Sequence, residues 1–531
     1  MKKFIVILII IVSILNVNAQ TKTNKATVKF GPEIKVEAAK TLDRIVFATP
    51  DQYLYIGNEL ISLSNKTNII LANAGRDLRF RNILPLTFQG VGDIEELNFL
   101  DICEIKGNIY VFAIIKDKKE KTVSLYMLTL DQEELVASAP RKLGVINYDF
   151  TRYANVRNFE LTISQDSSKI LVFYPAPYKK GMPERFGAMV FDENMNRIWA
   201  NEFQLPYPDD YFSVNKIFVG NNGQIFMNCT KYDGNKNAFA ERNPKNYHFV
   251  LLATDANGQE IKEINIDLKD KYVNDMIAAS LPNNDIVCIG FTSPKSLSSK
   301  IDGFFNAIID HNSLDLKQID QQLFEPSFIA EGYSASKTKS IETKTDKGKE
   351  LTLENFYFND IVVMNDGSVV AFSEQINKNN DKDYIYHYDD IIIINYKSNG
   401  DLNYIVKIPK RQHLNGIIKS LISYTYSIVN DKIYVLFNDN INNLATPNPT
   451  PPKVFTNYPS TSTNNWAVAL CTIDGKGNLS KELLFSFKEV DKFYFFPTKS
   501  KVMPNKNIAL YLVKVPTLGY QRYKLAIVDF K

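Results

Sequence analysis

Four histidines, His248, His311, His387 and His413, are the only imidazoles in this 531-residue chain. None sits in an H-E-x-x-H arrangement or beside a cysteine, so no metallohydrolase pattern is present. There is no G-x-S-x-G for a serine nucleophile, no phosphate loop and no dinucleotide fingerprint. Asp474-Gly-Lys-Gly-Asn478-Leu-Ser480 matches the first half of a calcium loop, but the bidentate acid expected at loop position 12 is replaced by Phe485. The stretch therefore reads as a hairpin turn. Asp381, Asp383, Asp389 and Asp390 form a better acidic group, one that could hold a metal ion but reads more readily as a solvated loop. The sequence leads us to expect no catalytic residue, no metal and no cofactor.

Two chemistries remain open. The first is recognition. Aromatic residues stand beside charges at Tyr178-Lys179 with Arg185 nearby, at Tyr232-Asp233, and at Tyr384, His387 and Tyr388. Tyrosine offers an apolar face with a polar tip, which suits contact with a sugar or a protein surface. Tyr178, Lys179, Arg185, Tyr232, Asp233, Tyr384, His387 and Tyr388 are therefore the expected binding residues, for a protein or glycan partner. The alternative is glycan cleavage. A glycoside hydrolase needs two carboxyl groups about 5–10 Å apart, and Asp209, Asp210, Asp233 and Asp383 are the acids that could supply them.

The elements carrying these residues read as a repeat of paired strands. Val214–Leu268 contains two hairpins in series, with turns at Asn221-Asn222-Gly223 and Asp255-Ala256-Asn257-Gly258. Asn-Gly between alternating apolar runs is a strong hairpin signal. Comparable first hairpins start near 44, 98, 159, 214, 275, 355, 421 and 494. Four such strands make one blade of a β-propeller. The spacing exceeds the ~40–45 residues of a compact blade, and the excess falls in connections between hairpins and between blades. No amphipathic helix of useful length is evident. The expected fold is all-β: a single β-propeller over 20–531, with eight blades of four antiparallel strands, or seven if the faint first outer hairpin near Ile61–Leu71 is not one. The last repeat lacks a strand and Thr27–Val36 is a spare one. An N-terminal strand completing the last blade would leave no free edge.

In such a blade the turns within hairpins lie on one face of the disc, and the other connections on the opposite face. The long segments fall on that second face. Loops tolerate variation and carry function, so the long-loop face is the expected site of partner binding.

The segment Leu161–Tyr174 resembles the repeat of TolB-type propellers. Ser164, Asp166, Ile170 and Val172-Phe173 match that pattern, while Gln165 and Ser167 stand where it has Pro and Gly. The resemblance covers one hairpin and implies a propeller blade. Ser164 and Asp166 are also similar to part of a sialidase Asp-box, but Leu171 stands where its aromatic belongs. Arg76, Arg79 and Arg81 form the only local arginine cluster, and alternation along a strand explains it better than an arginine triad.

Met1-Lys2-Lys3, the apolar run Phe4–Leu15 and Val17-Asn18-Ala19 read as a signal peptide over 1–19. Export to the periplasm or the medium is expected, with no transmembrane segment after cleavage. The 62 basic and 59 acidic residues give +3; without Lys2 and Lys3 the balance is 60 − 59 = +1. That is no nucleic-acid binder's charge, and a monomer is expected. Cys103, Cys229, Cys288 and Cys471 each fall in an apolar strand pattern in a different repeat, so four free, buried thiols are expected rather than disulfides.

Overall fold

The computed structural model describes residues 20–531 apart from 61–66, 89–96, 148–158, 176–180, 234–246, 296–297, 379–384, 416–419, 446–449, 457–464 and 515–519. Alternating apolar residues and tight turns produce antiparallel sheets throughout. Blade 1 has strands Lys40–Ala48, Gln52–Leu60, Thr67–Gly75 and Phe80–Pro85. Blade 2 has Asn98–Ile105, Asn108–Asp117, Thr122–Asp131 and Arg141–Asn147. Blade 3 has Glu160–Ile163, Lys169–Pro175, Pro183–Asp192 and Arg197–Pro208. Blade 4 has Phe212–Val219, Ile225–Tyr232, Tyr247–Thr254 and Ile261–Ile264. Blade 5 has Tyr272–Ser280, Ile286–Ser293, Gly303–Ile309 and Leu316–Leu323. Blade 6 has Phe356–Val363, Val369–Lys378, Ile385–Tyr396 and Leu402–Ile408. Blade 7 has Tyr424–Val429, Lys432–Asn440, Trp466–Ile473 and Leu479–Ser486.

These seven blades are continuous in sequence. The ring is completed by a sheet built from both chain ends. Its C-terminal strands Ile508–Lys514 and Arg522–Phe530 are followed outward by Ala26–Phe30, paired from Ala26↔Phe530 to Phe30↔Ala526. Ile34–Lys35 also pairs with Arg522–Phe530. The expected closure by the N-terminal strand is therefore present, and the predicted eight or seven repeats resolve into seven continuous blades plus this composite sheet. Ala26 and Val28 are fully buried. The Tyr523 hydroxyl accepts a hydrogen bond from Leu42 N–H of blade 1 at 3.0 Å, and the Tyr434 hydroxyl of blade 7 donates to the Lys531 carbonyl at 2.7 Å.

The core is a set of apolar clusters between neighbouring blades. One joins Phe112 and Leu125 of blade 2 to Val172 and Phe191 of blade 3. The largest spans blade 7, the composite sheet and blade 1. The four cysteines are free thiols, three of them buried and Cys103 half-buried. Burial pushes the Cys103, Cys288 and Cys471 thiols up to about 12, so they are protonated and inert at neutral pH.

Three expectations need correction. The faint outer hairpin of blade 1 lies at Thr67–Pro85, not near Ile61–Leu71. Arg76 and Arg79 sit in its turn, and only Arg81 is on a strand. A helical insertion also joins blades 5 and 6: α1 (Pro326–Ala330) and α2 (Ala335–Asp346). Ile341 is the one buried residue of α2, so the sequence shows no apolar stripe there. Capping supports the helix instead: the Ser334 side chain accepts from Lys337 N–H.

Candidate functional site

The strand order puts two kinds of connection on opposite faces of the disc. Turns within hairpins run from two residues, Asn430-Asp431, to six, as between Thr254 and Ile261, except in blade 2, where nine residues separate Asp131 from Arg141 and include the strand Val136–Ala137. Asn430 and Asp431 both have positive φ, at 47° and 59°, as a tight hairpin turn requires. The opposite face receives all the other connections. It carries α1 and α2, the pair Lys300–Ile301 with Leu353–Glu354, and the strands Gln412–Asn415 and Phe455–Thr456.

The first strand of each blade lines the centre. Carboxylates there are held by partners on neighbouring blades. Arg44 Nη2 lies 2.7 Å from Asp101, Lys499 Nζ 2.5 Å from Asp43, and Lys216 Nζ 3.1 Å from Asp275. Burial raises the Asp275 pKa despite Lys216 and the Phe358 N–H it accepts. Lys216 also donates to the Phe358 carbonyl at 3.0 Å, tying blade 4 to blade 6. Gln165 of blade 3 reaches blade 6, donating to the Ile361 carbonyl at 2.9 Å and accepting from Val363 N–H at 3.3 Å. Blades 3 to 6 are thus drawn together at the centre.

A cavity of about 900 Å³ opens beside that bridge, between the inner strands of blades 6 and 7 and the composite sheet. Asp360 lines it and accepts a hydrogen bond from the Tyr426 hydroxyl at 2.5 Å. Its side chain is exposed to the cavity yet surrounded by protein, and this desolvation raises its pKa against the opposing pull of Tyr426 and of Ile361 N–H. Burial, then the Asp360 charge, raises the Tyr426 phenol well above its usual value. Met364, Asp366, Asp431 and Lys506 also line the cavity, so it reaches the short-turn face. Sequence reasoning missed this pair because Asp360 and Tyr426 come from different blades with nothing local to mark them.

The expected binding residues are spread over three blades. Tyr178, Lys179 and Tyr384 lie outside the described residues. Arg185, on blade 3, is exposed and 3.8 Å from Glu202. Tyr232 ends the second strand of blade 4 and Asp233 follows it; the Tyr232 ring meets Tyr247 edge-on at 6.2 Å, and Asp233 is 3.5 Å from His248 Nε2. His387 and Tyr388 lie together on blade 6, near its long-loop end. The His387 ring stacks on His413 at 3.9 Å, and burial and His413 lower its pKa. The Tyr388 carbonyl accepts from Lys410 Nζ at 2.8 Å. Lys410 and Glu374 form a fully buried ion pair at 2.7 Å directly beneath.

Two of the four acids considered for glycan cleavage, Asp210 and Asp233, are held in different surroundings. Asp210 is buried and accepts from Gly181 N–H at 3.2 Å, whereas Asp233 is exposed on the neighbouring blade. Asp383 lies outside the described residues. Asp474 accepts from Lys476 and Asn478 N–H, which is the turn expected for it.

Fold and centre together define a closed β-propeller. No family model matches the chain. A protein of Fusobacterium nucleatum named as an HPr kinase/phosphorylase is 28% identical over 127 residues, covering 22% of this chain and 20% of that protein; the chain thus spans about a fifth of that relative's length. Among solved structures, the Dos1 propeller is similar with a TM-score of 0.42 and 11% identity, over 94% of this chain and 95% of that one. The WD40 domain of SCAP from fission yeast gives 0.39 and 9%, over 96% and 97%. The polysaccharide lyase Uly1 gives 0.38 and 10%, over 94% and 99%. At these values the likenesses assign neither family nor activity. No helix among the described residues is long and apolar enough to cross a membrane.

Proposed function

We propose that the protein is an exported, non-enzymatic propeller that binds a protein or glycan partner through its long-loop face. The observation that carries this reading is the asymmetry of the insertions: α1, α2, the pair Lys300–Ile301 with Leu353–Glu354 and the strands Gln412–Asn415 and Phe455–Thr456 arise on that face, while the opposite turns stay at six residues or fewer except in blade 2. Loop-closure entropy rises only slowly with length, so stability permits such insertions without demanding them, and recognition supplies a motive. Arg185, Tyr232, Asp233, His387 and Tyr388 are the proposed contacts, together with Tyr178, Lys179 and Tyr384. The signal peptide over 1–19 belongs to this reading, and the TolB-type repeat at Leu161–Tyr174 serves it as scaffold. The test is a glycan array with affinity capture from native envelope, using paired variants. Tyr232→Ala with Tyr388→Ala should weaken binding at least tenfold, about 1.4 kcal/mol. Loss of binding in folded Asn222→Ala or Asp366→Ala, with the tyrosine variants unaffected, would place the working face on the other side.

A second reading rests on the cavity holding Asp360 and Tyr426. A carboxyl with a raised pKa, bonded to a phenol in a space large enough for sugar rings, suits proton transfer in glycan cleavage. Activity on polysaccharides that disappears in Asp360→Asn would support it; inactivity across a broad panel would leave binding alone.

A further inference from the structure

His387 and His413 are directly opposed in the antiparallel pairing of Ile385–Tyr396 with Gln412–Asn415. Opposed residues share a face of a sheet, and so does the residue two positions along. Asp389 is that residue. Its Oδ1 lies 3.0 Å from His413 Nε2, and one ligand atom from each of the three side chains lies within 4.8 Å of the other two. The His413 and Asp389 side chains are only 18% and 16% exposed. We propose that His387, Asp389 and His413 form a binding site for a divalent first-row transition-metal ion.

Two imidazoles and one carboxylate are the donor set that zinc and its neighbours take, and bonds of about 2.0–2.2 Å place tetrahedral ligand atoms about 3.3 Å apart. The observed 3.0 Å is close to that spacing. Arg411 immediately precedes the strand Gln412–Asn415, and its charge acts on His387. That charge disfavours ions held by charge alone, such as calcium, and leaves those that bond strongly to imidazole nitrogen. Three protein ligands leave a coordination position for water or for a donor on a partner. The other cluster of comparable type among the described residues, Asp285, Asp310 and His311, does not invite an ion, because Lys317 Nζ already stands 2.9 Å from Asp285 and 2.7 Å from Asp310. It serves as an internal control.

The test is Co²⁺ titration of the mature chain, followed by visible absorption and native mass spectrometry, with Zn²⁺ competition. One Co²⁺ per chain should bind, give the absorption of an imidazole-ligated ion and be displaced by Zn²⁺. His413→Gln and Asp389→Asn, chosen to preserve shape, should each weaken binding at least about tenfold. His311→Gln should bind as the wild type does, and Ca²⁺ should not compete. Failure of the wild type to bind Co²⁺, or unchanged binding in both His413→Gln and Asp389→Asn, overturns the proposal. Displacement of Co²⁺ by Ca²⁺ overturns the metal class.

Discussion

Two clusters, both made of histidine and aspartate, sit on opposite faces of the disc. At the short-turn face of blade 5, Asp285, Asp310 and His311 are closed by Lys317 and Asn283. Burial would raise the Asp285 pKa, but hydrogen bonds from Lys317, His311 and Asn283 outweigh it and hold the carboxyl below its usual range. At the long-loop face of blade 6, His387, Asp389 and His413 carry two imidazoles and one carboxylate. The first cluster has its cation built into the chain and serves stability. The second has the donors but takes its cation from solution. The contrast extends to the faces: short turns satisfied internally on one side, inserted elements and half-buried aromatics on the other.

The reference for a purely structural element is the closing strand. Removing residues 20–30 exposes the edge of Arg522–Phe530 and takes away Val28 and Phe30, whose burial contributes about 1.5–3 kcal/mol each. A loss of about 5 kcal/mol, or aggregation, is expected in thermal unfolding.

Lys410→Met comes next. It strands Glu374, which is fully buried, and should cost about 3–5 kcal/mol in denaturant melts. Adding Glu374→Leu should recover most of that loss, since replacing both partners of a buried pair is close to neutral.

Asp285→Ala should cost about 2 kcal/mol at neutral pH, through the bonds lost from Lys317, His311 and Asn283. The sign with pH follows from the depressed pKa. Asp285 binds its proton more weakly folded than unfolded, so its contribution is present above the unfolded value of about 3.8 and is lost as pH falls below it. Melting curves of wild type and variant should converge on acidification; divergence would remove Asp285 from the turn-face account.

Tyr232→Ala should have the smallest effect on stability. The residue is half-buried against Tyr247, so the cost is about 0.5–1.5 kcal/mol rather than that of a solvated loop tyrosine.

The scaffold was legible because hairpin chemistry is local. Gly223, Gly258, Gly367 and Gly400 hold positive φ at turns that the Asn/Asp/Gly pattern marks in sequence. Closure was legible from the spare strand at one end and the missing strand at the other. The sites were less so. His387 and His413 are 26 positions apart and meet only through the register of an accessory strand. Asp360 and Tyr426 meet only across a blade boundary. Periodicity reports which face of a strand is buried, and it carries no information on which strands become neighbours across the ring.

The most direct test of the difference between the two faces is hydrogen exchange of the protein with and without its captured partner. Amides of 229–233, 385–389 and 412–415 should slow at least tenfold, while those of the turns at 220–224 and 364–368 keep their free rates. Protection confined to the turns, with the long-loop segments unchanged, would contradict the account.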